Sequence, residues 1–200
     1  MPRRWSVEEL LATCLARGAD RVIKVGSFER PPDSHASARA FATALRSVDH
    51  DLILVGVQAI DDLDGQLGPL LAAELGLPHV SVVTHIAVAA DRLTVTANQE
   101  YAGGLVAEFE VDLPALLGVQ TSREAPRYAP VSRVRQLMKT ATFETLEAPP
   151  GPDSGLVVES MSVPKATGHA EMIGGDAVAV AARIVAILAE RGLVKTGAAS

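Results

Sequence analysis

Apolar residues stand at Val7, Leu10, Leu11, Cys14 and Leu15, a spacing that draws one stripe along an α-helix. Ser6 opens this stretch with Glu9 three residues on, a capping box, and Gly18 stands where a left-handed residue would end it. The period then alternates between helix and strand. Asp20 to Val25 (DRVIKV) reads as a short strand, Ser34 to Val48 (SHASARAFATALRSV) as a helix, and Asp51 to Val57 (DLILVGV) as a strand apolar on both faces, as in a parallel sheet covered on both sides. A helix from about Gln66 to Leu75, stopped by Gly76 and Pro78, leads to Val80–Ala89 (VSVVTHIAVA), a third β-branched strand. This order predicts an α/β fold, a Rossmann-like parallel sheet flanked by helices with right-handed crossovers. The opening helix needs a sheet to lie on, so a first strand is expected to be missing or to come from another chain.

From Arg92 the period shortens to two. Leu105, Ala107, Phe109 and Val111 alternate with polar residues around Gly103 and Gly104, which predicts a β-hairpin insertion with one face on the core. Ala115 to Gln120 (ALLGVQ) is expected to return to the buried sheet. Ser122 to Thr140 carries four arginines and a lysine, and Pro126 and Pro130 keep its first half out of a helix. Ala148 to Gly155 (APPGPDSG) has the composition of a linker. It divides the chain into an α/β domain over 1–147, a linker over 148–155 and a C-terminal arm and helix over 156–200. Asp176 to Leu193 is apolar almost all round, which predicts a buried helix.

Composition narrows the function. With 48% hydrophobic and 21% charged residues over 200 positions, the chain can bury a full core. A net charge of -6 with no long basic run argues against nucleic acid and against an anionic membrane surface. No segment reaches the ~20 apolar residues of a membrane span. The single cysteine, Cys14, reads as a small buried helix residue and points to a reducing, cytoplasmic setting. His79 and His85 read as structural, and no catalytic motif or metal-ligand spacing is present, so neither a catalytic residue nor a metal is expected.

The loop after DLILVGV holds Asp61, Asp62 and Asp64. Carboxylates there form turns and helix caps, but the position adds a second meaning. A loop between the carboxyl end of a parallel strand and a helix N-terminus is where α/β sheets bind nucleotides. Its carboxylates can accept from ribose hydroxyls or an adenine amino group, and the backbone N–H groups near Gln66 and Leu67 can meet a phosphate.

The stretch GVQAIDDLDGQLGPLLAAELGLPHV resembles the adenine-nucleotide loop of electron-transfer flavoprotein β subunits, matching at Gly56, Gln58, Ala59, Ile60, Asp61, Gln66, Gly68, Pro69 and Pro78. GADRVIKV (18–25) and PRYAPVSRV (126–134) resemble two further family segments in the same order. The resemblance implies an electron-carrier subunit, not an enzyme, that pairs with an α subunit carrying the redox FAD. It implies AMP, or a second FAD, held by Gly56, Gln58, Ala59, Ile60, Asp61, Asp64, Gln66, Leu67 and Gly68. It also implies docking to a dehydrogenase through Arg127, Tyr128 and Val131, with Val131 the apolar anchor and Arg133 and Arg135 on its rim. The family's first strand is expected to be missing from this sequence.

The sequence departs from the family at Leu63, where an acidic residue is usual, at Asp64, where a hydroxyl or small residue is common, and at Gln99 and Ala102, where an arginine and an aspartate are typical. A carboxylate at Asp64 would repel a phosphate by on the order of 1 kcal/mol or more. Two other readings are a nucleotide-free scaffolding or assembly protein of this fold and an adenine-nucleotide-binding sensor domain.

Overall fold

Helix α1 (Val7–Ala16) begins as its capping box demands, with Ser6 Oγ accepting from the Glu9 backbone N–H at 3.2 Å, and Gly18 follows it with φ at +105°. A computed structural model describes residues 6–26, 32–59, 63–121, 125–148, 159–160, 162–163, 168, 170 and 172–194. The chain forms two compact units, Met1–Leu156 and Val157–Ser200.

In the first unit the order is α1, β1 (Ile23–Val25), α2 (Ser34–Leu45), β2 (Leu52–Gly56), α3 (Leu67–Leu75), β3 (His79–Val88), β4 (Thr94–Glu100), β5 (Val106–Asp112), β6 (Ala115–Val119), α4 (Val131–Thr140) and β7 (Glu144–Leu146). Five strands form one sheet in the order β2-β6-β3-β4-β5. Strand β6 runs parallel to both β2 and β3, whereas β4 runs antiparallel to both β3 and β5.

The centre of this sheet is the ALLGV run. Leu117 joins Val83, Val95, Ala97, Val111 and Ala115 on one face, and Leu116 joins Ala38, Ala42, Leu71 and Ala72 on the other. A strand buried on both faces reads as a continuous apolar run, which is why this short segment could be placed in the sheet. Alanines along α2 let it lie close against α3. Gly118 has no room for a side chain, since a Cβ would stand 3.0 Å from Ser81 Oγ.

Several expectations need correction. The α/β class and the helix-flanked, parallel-containing sheet are present, but the sheet is mixed and β1 lies outside it. Strand β1 pairs in parallel with β7, a segment not anticipated as a strand. Arg21 binds Glu144 across this pair through two hydrogen bonds, at 2.7 and 2.8 Å. Strand β2 ends the larger sheet, and Leu54 is 55% exposed, so the strand apolar on both faces is not covered on both.

Helix α1 packs on α4 instead of a sheet. Its buried residue is Ala12, and Cys14, expected inside, is exposed. The hairpin is buried only at its base. Val95, Ala97 and Val111 enter the core, while Leu105 and Val106 near the tip and Phe109 opposite Ala97 stay exposed.

Strand β3 hands over from β6 to β4 at Val83, beside a register shift and Val82 at φ +57°. A β-branched residue held there stores about 1–3 kcal/mol of strain.

In the second unit, α5 (Ala177–Glu190) begins where Asp176 Oδ1 accepts from the Ala179 backbone N–H at 2.9 Å. The expectation of a buried helix fails, because α5 buries none of its residues. Among the described residues, no helix is long and apolar enough to cross a membrane.

Candidate functional site

Strand β2 ends in Gly56, and a turn separates it from α3, which begins at Leu67. The turn is held by its own atoms. Gln58 Nε2 donates to the Leu63 carbonyl at 2.5 Å, and the Leu63 N–H donates to the Ala59 carbonyl at 3.0 Å. Leu63 and Gly65 both take positive φ, 56° and 68°. A Cβ on Gly65 would lie 3.2 Å from the Val57 carbonyl oxygen, so glycine permits both the turn and the approach.

Between these segments lies a cavity of about 250 Å³, lined by Ser34, Gly56, Val57, Gln58, Ala59, Gly65 and Leu67. Ser34 is the first residue of α2 and Leu67 the first of α3, so two helix N-termini meet at one wall. Asp33 caps α2 by accepting from the Ala36 N–H at 2.8 Å. Gln66 occupies the cap position of α3 without a side-chain cap bond. Its amide instead donates to Asp64 Oδ1 at 2.8 Å, and Ser34 Oγ donates to Asp64 Oδ2 at 2.5 Å.

Of the nine residues expected to bind a nucleotide, Gly56, Gln58, Ala59 and Leu67 line the cavity, whereas Asp64 and Gln66 are not in its lining and connect to it through the Ser34 hydroxyl, which donates to Asp64. Gly68 lies beneath, where a Cβ would be 3.1 Å from Val55 Cγ2 and 3.4 Å from His79 Nε2; its role is to let α3 approach the sheet. Ile60 and Asp61 fall outside the described residues. Ser34, Val57 and Gly65 were missed. Only Ser34 carried a signal, as a hydroxyl opening a predicted helix that follows a parallel strand.

His79, at the start of β3, has its ring Nε2 buried without a hydrogen-bond partner. Burial pulls its pKa below the usual 6.5 by penalising the charged ring. The unfolded chain therefore binds more protons than the folded one as acid is added. The stability that depends on a neutral His79 is fully present above pH ~6.5 and is lost as pH falls below it. Urea denaturation at pH 7.5 and 5.5 is expected to show this loss, and His79→Gln to flatten it; an unchanged pH slope in the variant would assign the loss to other groups.

A second concave region lies between α1 and α4. This groove of about 430 Å³ includes Thr13, Arg17, Arg127, Tyr128, Val131 and Met138 in its walls. Pro130 ends the extended segment and Val131 is the first residue of α4, a helix the sequence reading did not anticipate. Tyr128 is 80% and Val131 60% exposed. The Arg127 guanidinium crosses Gly18, whose absent Cβ would be 2.8 Å from its Nη1. The three residues expected to dock a partner thus share one groove. Arg135 is also in its wall, whereas Arg133 bonds Gln136 at 3.2 Å outside it.

Residues 5–150 match the family described as "Electron transfer flavoprotein domain". The chain is 29% identical over 193 residues to an electron transfer flavoprotein subunit beta of Methylophilus methylotrophus, covering 92% of this chain and 73% of that protein. It is 34% identical over 176 residues to the subunit beta of Syntrophomonas wolfei, covering 82% and 68%. Against the human subunit beta the identity is 33% over 138 residues, covering 66% and 52%. The β2 loop with its cavity and the Arg127–Val131 groove both lie inside the matched stretch. The chain belongs to the electron-transfer flavoprotein β-subunit family.

Proposed function

We propose that this β-type chain pairs with an FAD-carrying α subunit and works in the cytoplasm as an electron carrier between a dehydrogenase and an acceptor. The cavity at the end of β2 takes the adenosine part of AMP or of a second FAD. The observation that carries this reading is that cavity: two helix N-termini and the end of a parallel strand converge on it within the family-matched stretch.

The residues present fit an adenosine moiety. Val57, Ala59 and Leu67 offer apolar walls, Ser34 and Gln58 polar groups, and Gly56 a wall with no side chain. When bound, FAD supplies the capacity to accept and pass on electrons. This chain's residues hold the nucleotide and present surfaces to partners. The exposed hairpin residues Leu105, Val106 and Phe109 and the uncovered helix α5 are apolar surface that a partner subunit would remove from water.

Native mass spectrometry of the protein from its own host tests the reading. A heterodimer carrying FAD supports it; a bare monomer or homodimer without nucleotide would sink it and favour a nucleotide-free assembly role.

The Arg127–Tyr128–Val131 groove is the proposed dehydrogenase-docking surface. Val131→Asp is expected to weaken dehydrogenase coupling about tenfold or more, because burying an unpaired carboxylate at the centre of an interface costs over 1.4 kcal/mol, while flavin content stays unchanged. Flavin absorbance measured beside turnover separates the outcomes, since equal loss of both would move Val131 to the subunit interface.

A further inference from the structure

Two helix stripes make the groove between α1 and α4. Helix α1 and its C-cap contribute Glu9, Thr13 and Arg17, spaced by four, and α4 contributes Val131, Val134, Arg135 and Met138, at i, i+3, i+4 and i+7. Arg127 and Tyr128 come from the extended segment before α4. Val134 is buried, whereas Tyr128, Val131 and Met138 are exposed apolar surface.

The chain as a whole is acidic, with 24 carboxylate residues to 18 lysines and arginines, yet the described lining of the groove holds Arg17, Arg127 and Arg135 against one carboxylate, Glu9. The local sign is reversed. Arg17 caps the C-terminal end of α1, and the Arg127 guanidinium lies over Gly18 just beyond it. The carbonyls at a helix C-terminus favour cations there. Among the described residues, no hydrogen bond or ion pair occupies any of these three guanidinium groups, which leaves them available to a partner.

We propose that this groove receives a segment of the dehydrogenase in which an apolar side chain is flanked by carboxylates. The apolar side chain packs on Val131, Val134 and Met138, and the carboxylates meet Arg17, Arg127 and Arg135. The proposal rests on the docking reading above and adds that this chain is the receiving side and its partner the acidic one. At about 430 Å³ the groove falls within the roughly 300–1,000 Å³ of pockets that enclose a ligand, so a side chain can insert into it. Three guanidinium groups carried by α1, α4 and the segment between call for several carboxylates, which one crossing segment supplies. Such a segment also covers Tyr128 and Val131, as the core of an interface requires.

Fluorescence anisotropy of labelled peptides on the full 200-residue chain, with any subunit that co-purifies, tests this. The probes are Asp-Glu-Leu-Leu-Glu-Asp, its basic counterpart Lys-Lys-Leu-Leu-Lys-Lys and its anchorless counterpart Asp-Glu-Gly-Gly-Glu-Asp. The first is expected to bind at least about tenfold more tightly than either of the others and to weaken with salt. Arg127→Gln combined with Arg135→Gln is expected to weaken it about tenfold, equivalent to about 1.4 kcal/mol. Met138→Glu, which sets a carboxylate against the peptide's own, is expected to weaken it at least as much. Cooperative melting checks that each variant is folded.

Equal binding of the acidic and basic leucine peptides overturns the role of the arginines, and equal binding of the leucine and glycine peptides overturns the role of the apolar wall. Binding of decanoate without the acidic peptide would make the groove a small-molecule site, and a homodimer that Met138→Glu dissociates would make its occupant a second copy; either overturns the proposal. So does the binding of no peptide by the folded wild type. The docking reading is decided separately, by dehydrogenase coupling of Val131→Asp. Lost coupling there beside unselective peptides removes only the partner chemistry, whereas intact coupling removes both.

Discussion

Leu117→Ala is expected to lower the unfolding free energy by about 3 kcal/mol or more. Leu117 is fully buried in β6, the strand between β2 and β3, and packs against Val83, Val95, Ala97 and Val111. Truncating it removes apolar burial and leaves a void, and the neighbours cannot easily close it. Val83 belongs to the strand that also pairs with β6, and Val95 and Val111 are locked in the β4–β5 ladder. Leu54→Ala, at the exposed edge strand, supplies the contrast and is expected to cost under about 1 kcal/mol. Urea denaturation of the three proteins measures both. Equal costs would mean that β6 is not the packing centre.

Removal of the second unit, Val157–Ser200, is expected to abolish co-purification with the proposed FAD-carrying partner. Helix α5 has its own N-cap at Asp176, yet Val178 is 79% exposed, and Ile184 and Val185 are exposed as well. A helix apolar almost all round is stable in water only when something covers it. Covering three such side chains is worth ~1.5–3 kcal/mol each before the costs of association. Even about 4 kcal/mol of net loss weakens a complex on the order of a thousandfold. Ile184→Glu is the milder test, because it leaves the chain length intact. Affinity capture followed by flavin absorbance measures both variants, and undiminished complex formation would remove the second unit from the interface.

The candidate site was partly legible in the sequence. The strand-loop-helix pattern around Gly56 and Gln66 located the cavity, because the carboxyl end of a parallel strand and a helix N-terminus are both readable from period and caps. Ser34 was not legible as part of it. It precedes Gly56 by a whole helix and strand, and only the packing of α2 beside α3 brings it to the cavity wall. Asp64 was legible as a residue at odds with a phosphate, but not as one held by Ser34 and Gln66. The Ser34 bond joins segments 30 residues apart, which sequence spacing within one loop does not report.

The same division runs through the fold. Local signals determined α1, α2, α3 and the hairpin, since capping and periodicity act within a few residues, whereas α4 was not anticipated as a helix. Tertiary structure alone decided that β1 pairs with β7, that α1 lies on α4 with Cys14 outside, and that Leu54 and α5 stay uncovered. Apolar periodicity says which side chains leave water if a surface is available. Which surface is available depends on long-range pairing, and a three-residue strand such as Glu144–Leu146 carries too few positions to announce its partner.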